Sequence, residues 1–585
     1  MTRIAIVDKS KCFSEKCMDW CLRFCPVNRR ETECIIKGAD KKIIINEELC
    51  NGCGICKKCI FGAISIINLP EKLKEDPIHR YGINSFELFS LPVPKKESVI
   101  GIIGRNGIGK STALDILSGN LKPNLGKYNE DVGKEEIINR YSNSILGKYF
   151  TKLFDNKIKV SYKPQRIELL SKLYKGKVRE LIKKVDEKKI SDKLIKELGL
   201  KNIEERDISK LSGGELQKLA IIACLCKKAD VYYLDEPMSF LDIVYRIKVA
   251  KIIRELKERF IIVEHDLAGL DYISDEIQIV YGEAGCYGVF SQSKSVRRGI
   301  NEYLDGFLPE DNVRFRDYKI IFNKFSGGKD VSEEVLFEFD ELEKNFENFN
   351  LKTNKGLIHK QEVLGVVGAN GLGKTTFLKL LSQEIKPDKG KIEKIKISYK
   401  PQQIYSEIEG TVLENLKKVA KEEFNSGWYK QNILEKLGLG KILNNEVKNL
   451  SGGELQKFHV AVTLSRDASL FAFDEPSAFI DVEDRLKVAE IIKEFILKKE
   501  KAAIVVDHDI QFIDYLSDSI LVFEGESGKK GYVYGPCDKK EGMNRVLKNL
   551  GITYRRDKEN NRPKINKPGS VLDKEQKEKG EYYYV

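Results

Sequence analysis

A chain of 585 residues is longer than one hydrophobic core organises, and at ~100–200 residues per domain it implies three or four domains. With 41% apolar and 32% charged residues, no run of ~20 uncharged apolar residues and a start, MTRIAIVDKSKC, that lacks an apolar leader, the sequence excludes a membrane-spanning helix and reads as cytoplasmic. The formal charge of +12 points to an anionic partner, and about half of that excess falls between Arg545 and Lys579.

Two cysteine sets come first. Cys12, Cys17, Cys21 and Cys25 are spaced C-x4-C-x3-C-x3-C and followed by Pro26, while Cys50, Cys53, Cys56 and Cys59 form the second set. In a cytoplasmic chain such crowding argues for metal rather than disulfides. Three thiolates at C-x2-C-x2-C grip three corners of a cubane, and in two-cluster ferredoxins the fourth cysteine of each set ligates the other set's cluster. On that pattern Cys25 completes the Cys50/Cys53/Cys56 cluster and Cys59 the Cys12/Cys17/Cys21 cluster, which predicts a ferredoxin-like domain with two 4Fe-4S clusters over about 1–76. Zinc also takes four cysteines, but interlocked quartets are the iron–sulfur arrangement. The second set departs from C-x3-C-P, because two residues separate Cys56 from Cys59 and Ile60 stands at the proline; Cys34 is the alternative ligand. A short tether, INLPEKLKEDP, follows.

Next, the apolar run SVIGII leads into GRNGIGKST from Gly104, a strand–loop–helix match to G-x4-G-K-[ST]. Glycines there let backbone N–H groups close around phosphates at a helix N-terminus. Gly104, Asn106, Gly107, Gly109, Lys110, Ser111 and Thr112 make the loop; Lys110 reaches the β/γ-phosphates and Ser111 holds Mg²⁺. Residues of about 128–157 carry apolar positions at helical intervals around an Asn-Ser break and predict a helix–loop–helix. YKPQ with Gln165, LSGGELQK with Ser212 and Gly214, VYYLDEP with Asp235 and Glu236, and VEHD with His265 follow in order.

The chain then repeats itself. GANGLGKTT supplies Gly368, Asn370, Gly371, Gly373, Lys374, Thr375 and Thr376; YKPQ returns with Gln402, LSGGELQK with Ser451 and Gly453, LFAFDEP with Asp474 and Glu475, and VDHD with His508. Lys110 precedes Gln165 by 55 residues but Lys374 precedes Gln402 by 28, so the first copy alone carries the helix–loop–helix. GINEYL at Gly299 and GMNRVL at Gly542 lie 243 residues apart, the offset of His265 from His508, so each unit ends in a matched appendage.

LSGGELQK between a phosphate loop and an apolar-DE strand resembles the signature of ABC-type ATPases. Twin copies behind a cysteine-rich front, without membrane spans, resemble the soluble ribosome-recycling subfamily E of archaea and eukaryotes, also called the RNase L inhibitor family, over essentially the whole chain. That resemblance implies an α/β architecture: an iron–sulfur domain at 1–76, ATPase domains at 77–290 and 331–536, and hinge segments at 291–330 and 537–585. It also implies a monomer whose two ATPase domains pair head to tail. One site then joins Lys110, Ser111, Gln165, Asp235, Glu236 and His265 with Ser451 and Gly453; the other joins Lys374, Thr375, Gln402, Asp474, Glu475 and His508 with Ser212 and Gly214. Gln165 and Gln402 assist Ser111 and Thr375 at Mg²⁺, and Glu236 and Glu475 handle the attacking water. Tyr81 and Phe86 are expected to stack on adenine in the first site, with Phe346 and Phe349 in the second. The partners implied are the ribosome, through small-subunit RNA and protein, and a release factor or its Pelota-type paralogue, and the helix–loop–helix is the ribosome-contacting element. Two other readings are an ATP-gated electron-transfer protein, which lacks a flavin or nicotinamide fingerprint here, and a DNA-repair ATPase, which lacks its coiled-coil or zinc insertion.

Overall fold

The apolar runs VIGII and VLGVV, uninterrupted by charge, become the strands Val99–Ile103 and Val363–Val367, buried at every residue as a parallel strand covered on both faces must be. The computed structural model describes residues 3–30, 32–47, 49–68, 76–322, 332–404 and 407–584. The tether read at 67–77 and the end of the first hinge segment lie mostly outside them.

Each of those strands is the centre of a sheet, and the two sheets share one order. In the first, His79–Arg80, Glu87–Phe89, Tyr287–Phe290, Glu276–Glu283, Val99–Ile103, Phe260–Val263, Val231–Asp235 and Val160–Lys163 lie side by side. In the second the row runs Glu343–Asn345, Asn350–Thr353, Lys530–Asp538, Ser519–Glu526, Val363–Val367, Ala502–Val506, Leu470–Asp474 and Ile397–Lys400. The sequence repeat is therefore a repeat of whole α/β units. Both boundaries read from sequence shift outward: Lys294–Ser295 still pairs with Glu276–Ile277, and Lys530–Asp538 runs straight through 536.

Within the first unit, helices Lys134–Arg140 and Ile145–Phe154 form the helix–loop–helix, with Ser144 capping the second helix through Gly147 N at 3.2 Å. It is no mere appendage. Ile137, Tyr149 and Phe150 are buried with the core of this domain, and Tyr149 Oη donates to Leu117 O at 2.6 Å and lies 2.7 Å from Tyr233 Oη.

The appendages become helices Val296–Asp305 and Lys539–Leu550. Gly299 and Gly542 sit where each helix crosses its sheet; a Cβ there would lie 2.7 Å from Ile277 Cβ and 2.6 Å from Ile520 Cβ, which explains the glycine in both motifs. The basic C-terminal stretch is ordered and joins the halves. Arg556 grips Asp514 of the second unit with two bonds of 2.8 and 2.9 Å, fully buried Arg562 lies 3.4 Å from Asp271 of the first, and Phe322 N donates to Asn560 O. Much of its charge is thus neutralised internally.

The N-terminal unit is two antiparallel strand pairs, Arg3–Val7 with Ile64–Asn68 and Ile35–Lys37 with Ile43–Ile45, around a core that mixes buried cysteines with the isoleucines of these strands. It leans on both ATPase units. Asn84 of the first bonds the backbone of Ala5 and Ile45, while Lys11 reaches Glu454 at 3.2 Å and Asn444 donates to Ile60 O at 2.8 Å in the second.

Candidate active sites and candidate metal centre

Both phosphate loops end in a left-handed glycine, Gly109 at φ 88° and Gly373 at φ 92°, which turns the chain into helices Lys110–Ser118 and Lys374–Leu381. Lys110 Nζ donates to Gly104 O at 2.9 Å and Lys374 Nζ to Gly368 O at 2.7 Å, so each lysine is buried and aimed along its own loop. Thr375 Oγ1 donates to Asp474 Oδ2 at 3.0 Å. Neither buried carboxylate oxygen of Asp235 has a hydrogen-bond partner among the described residues; burial and then Glu236 push this carboxyl up to about 6, against the pull of neighbouring Ser111 and Lys163.

Glu236 and Glu475 adopt φ of 47° and 48°, a conformation costly for a non-glycine residue. The cost is met by clamps on the backbone. Gln217 Nε2 donates to Glu236 O at 2.7 Å and Lys163 Nζ to Asp235 O at 2.7 Å; Gln456 and Lys400 do the same for Glu475 O and Asp474 O at 2.6 and 2.8 Å. Gln165 Nε2 donates to Glu236 Oε1 and Gln402 Nε2 to Glu475 Oε1, each at 2.7 Å. His265 Nε2 lies 3.5 Å from Glu236 and His508 Nε2 3.3 Å from Glu475, yet no ring nitrogen of either buried histidine has a hydrogen-bond partner among the described residues. Burial pushes Glu236 up, but His265 and the Lys110 charge outweigh it and hold the carboxyl at about 2; His508 and Lys374 hold Glu475 at about 2 in the same way.

The units meet head to tail. Asn106 N donates to Asp481 Oδ2 at 3.0 Å and Asn370 N to Asp242 Oδ2 at 2.9 Å, and Phe240 packs edge-on against Phe479 at 5.6 Å. A single cavity of about 1910 Å³ is lined by Gln165, Glu236, His265 and the first signature, Ser212–Gly214, together with Gln402, Glu475, His508 and the second, Ser451–Gly453. One asymmetry adjoins it. Arg105 Nε lies 3.7 Å from Glu483 Oε2, and Glu483 accepts from Tyr318 Oη at 2.7 Å, so the first phosphate loop is linked to the first hinge segment; the second copy has Ala369 and Val244 at these positions.

The aromatic residues divide by role. Tyr81 is exposed, with Oη 3.1 Å from Thr112 Oγ1, whereas Phe86 packs against Gly109, leaving no room for a Cβ there. Phe346 and Phe349 repeat the division, the first exposed and the second against Gly373. Sequence reading missed Asp242 and Asp481, Lys163 and Lys400, and Gln217 and Gln456. The signal existed: each falls at the same offset in both copies of F-[LI]-D, YKPQ and LSGGELQK.

Among the described residues no two cysteines are joined by a disulfide. The thiols that act on Cys12 are Cys59 and Cys17, those that act on Cys21 are Cys17, Cys59 and Cys12, and those that act on Cys56 are Cys50, Cys53 and Cys25. Burial first and these thiols next push Cys21 up to about 12 and Cys56 up to about 11. Cys34 neighbours Cys25 of the first set and Cys50 of the second. Gly52 and Gly54 take φ of 67° and 73° and fold the Cys50–Cys56 loop on itself. Among the described residues no three His, Cys, Asp or Glu side chains converge closely enough to hold one metal ion.

The ABC transporter family model matches residues 89–239 and 351–478. An uncharacterized ABC transporter ATP-binding protein of Methanocaldococcus jannaschii is 48% identical over 100% of this chain and 98% of its own length. A structure described as a model of ribosome-bound archaeal Pelota and ABCE1 superposes with a TM-score of 0.94 at 49% identity, covering 100% of this chain and 99% of that one. The crystal structure of the archaeal ribosomal stalk protein aP1 with the archaeal ribosome recycling factor aABCE1 reaches a TM-score of 0.84 at 49% identity, over 88% of this chain and 100% of that one. Among the described residues no helix is long and apolar enough to cross a membrane.

Proposed function

The chain belongs to the ABCE1 family of ABC-type ATPases, and from that membership we propose that it is an ATP-driven ribosome recycling factor, one that splits ribosomes into subunits after termination or stalling. Reciprocal contact between phosphate loops and partner aspartates carries the reading, because it makes closure of the two units depend on both loops. Work done by that closure is delivered to a ribosome bearing a release factor or Pelota-type protein.

In this reading ATP lies with its phosphates on the Lys110 or Lys374 loop and its adenine against Tyr81 or Phe346. Ser111, Gln165 and Asp235, and Thr375, Gln402 and Asp474, would hold Mg²⁺, which when bound neutralises charge on the phosphates; the unpartnered Asp235 oxygens suit a cation. Glu236 and Glu475, ionised at neutral pH, orient the attacking water and accept its proton. His265 and His508, each facing its glutamate through Nε2, together with the opposite signature's serine and glycine, stabilise charge on the γ-phosphoryl.

The cysteine groupings support two 4Fe-4S clusters held by Cys12/Cys17/Cys21/Cys59 and Cys25/Cys50/Cys53/Cys56, with Cys34 beside Cys25 and Cys50. A cubane spreads four thiolates over four iron corners, wider than one zinc ion permits. Such clusters would supply the rigidity that a unit this small cannot draw from apolar packing. Sedimentation of whole ribosomes with protein, ATP and a release factor tests the function: free subunits are expected only when all are present, and intact ribosomes under every condition would refute it.

A further inference from the structure

Helix Lys110–Ser118 and strand Val231–Asp235 meet at one end, where Ser111 neighbours Asp235. The helix–loop–helix ties them together again at the far end. Tyr149 Oη directs its one proton to Leu117 O, in the last turn of the helix, so the 2.7 Å bond between the tyrosines is donated by Tyr233. Tyr233 precedes Asp235 by two residues, and side chains alternate along a strand, so the two point to one face. Both tyrosines are buried. In the second unit Thr375 and Asp474 join helix and strand at the front, at 3.0 Å, but the repeat places Ala472 where the first copy has Tyr233. The strand tyrosine and the insertion that bonds it are present together in one copy and absent together from the other. The opposite side of the element faces out: Ile145, Lys148 and Lys152 are exposed along one side of helix Ile145–Phe154. An apolar tip with two lysines behind it suits an RNA phosphate backbone.

We propose that Tyr149 and Tyr233 form a strut through which a small ribosomal subunit seated on the helix–loop–helix changes ATP turnover at the site built on Lys110. The inference rests on the ATPase and ribosome readings of this chain. Because helix and strand are held at both ends, a displacement of Tyr149 shifts Leu117 against Tyr233 and is felt at the other end, between Ser111 and Asp235. Close-packed interiors transmit such a displacement with little compression. Ile137 and Phe150 wedge the same element into the same core, so the tip cannot move freely of it. Tyr149 and Tyr233 are positioning residues: neither touches nucleotide, and both act through the helix and strand that do.

The test separates strut from contact. In a Glu475→Gln background only the first site hydrolyses, and in a Glu236→Gln background only the second. Saturating small subunits should change first-site turnover about fivefold or more, the low end of coupling between distinct sites. Tyr233→Phe should shrink that response to within about twofold while basal turnover, KM for ATP and pelleting with small subunits stay within about twofold of the parent. It cuts the bond to the strand and leaves Tyr149 on Leu117 O, so no buried donor is left unmade. Tyr149→Phe, which cuts both bonds, should shrink the response at least as far. Second-site turnover should answer small subunits alike in parent and variant, a contrast that mere loosening of the core would not give. In Glu236→Gln/Glu475→Gln protein with ATP, amide exchange of Val231–Asp235 should differ between free and subunit-bound forms and lose that difference with Tyr233→Phe. A parent whose first site ignores small subunits, a full response in both Phe variants, or basal turnover that falls as far as the response would overturn the proposal. An Ile145→Asp protein that still pellets normally would overturn the contact on which it rests, so the two failures are told apart.

Discussion

A glutamate at φ 47° cannot hold that shape unaided, and Gln217 and Lys163 are the side chains that hold it. Replacing Gln217 by Leu should free the carbonyl of Glu236 and let the backbone relax, at a strain of ~1–3 kcal/mol. The first site's kcat should fall about tenfold or more with little change in KM, measured by single-site turnover. His265 makes a second prediction. Burial, and then the Lys110 charge, keep its imidazole below the ordinary value, so below about pH 6.5 the unfolded chain takes up a proton that the folded chain refuses. Stability contributed by this residue is therefore lost as pH falls. His265→Gln should lessen the drop in thermal midpoint between about pH 7.5 and 5.5. The chemistry of these residues was legible in sequence, since Lys, DE and His stand in one order twice. Their supports were not, because a glutamine in LSGGELQK that clamps a carbonyl and one that faces solvent are the same letter.

Elements repeat as residues do, and the glycines at 299 and 542 explain how a helix can cross a strand so closely. Gly299→Val should destabilise the first unit by ~1–3 kcal/mol through forced displacement against Ile277, read from the first unfolding transition in denaturant. The helix–loop–helix was visible as surplus length, and its helical period fixed both helices. Its depth was not visible. Spacing alone suggests that 129–156 can be deleted without harm, whereas Ile137, Tyr149 and Phe150 are buried in the core between the phosphate-loop helix and the Asp235 strand. Deletion should therefore cost folding. Ile145, 66% exposed at the tip, is the better probe: Ile145→Asp should leave basal ATPase activity unchanged and weaken small-subunit binding, measured by pelleting. Unchanged binding would count against a ribosomal role for this element.

Across the whole molecule, hydropathy and repeats sufficed to divide the chain, but which surfaces meet is decided by residues with no pattern of their own. Arg105, Glu483 and Tyr318 come from a phosphate loop, the opposite unit and a hinge segment, and nothing in their spacing joins them. Arg105→Ala should loosen ATP capture at the first site and spare the second, where Ala369 already stands, as measured by nucleotide retention in the single-site backgrounds. The paired bonds Asn106–Asp481 and Asn370–Asp242 have a further consequence. Each loop is completed by an aspartate that its own half does not own, so the molecule behaves as a logical AND: neither occupancy counts without the other. Its output follows the product of two inputs, and at low ATP the closed fraction, followed by fluorescence transfer between the halves, should rise with the square of concentration. A recycling factor wired in this way ignores a small dip or rise in fuel at one site and commits only when both inputs read true.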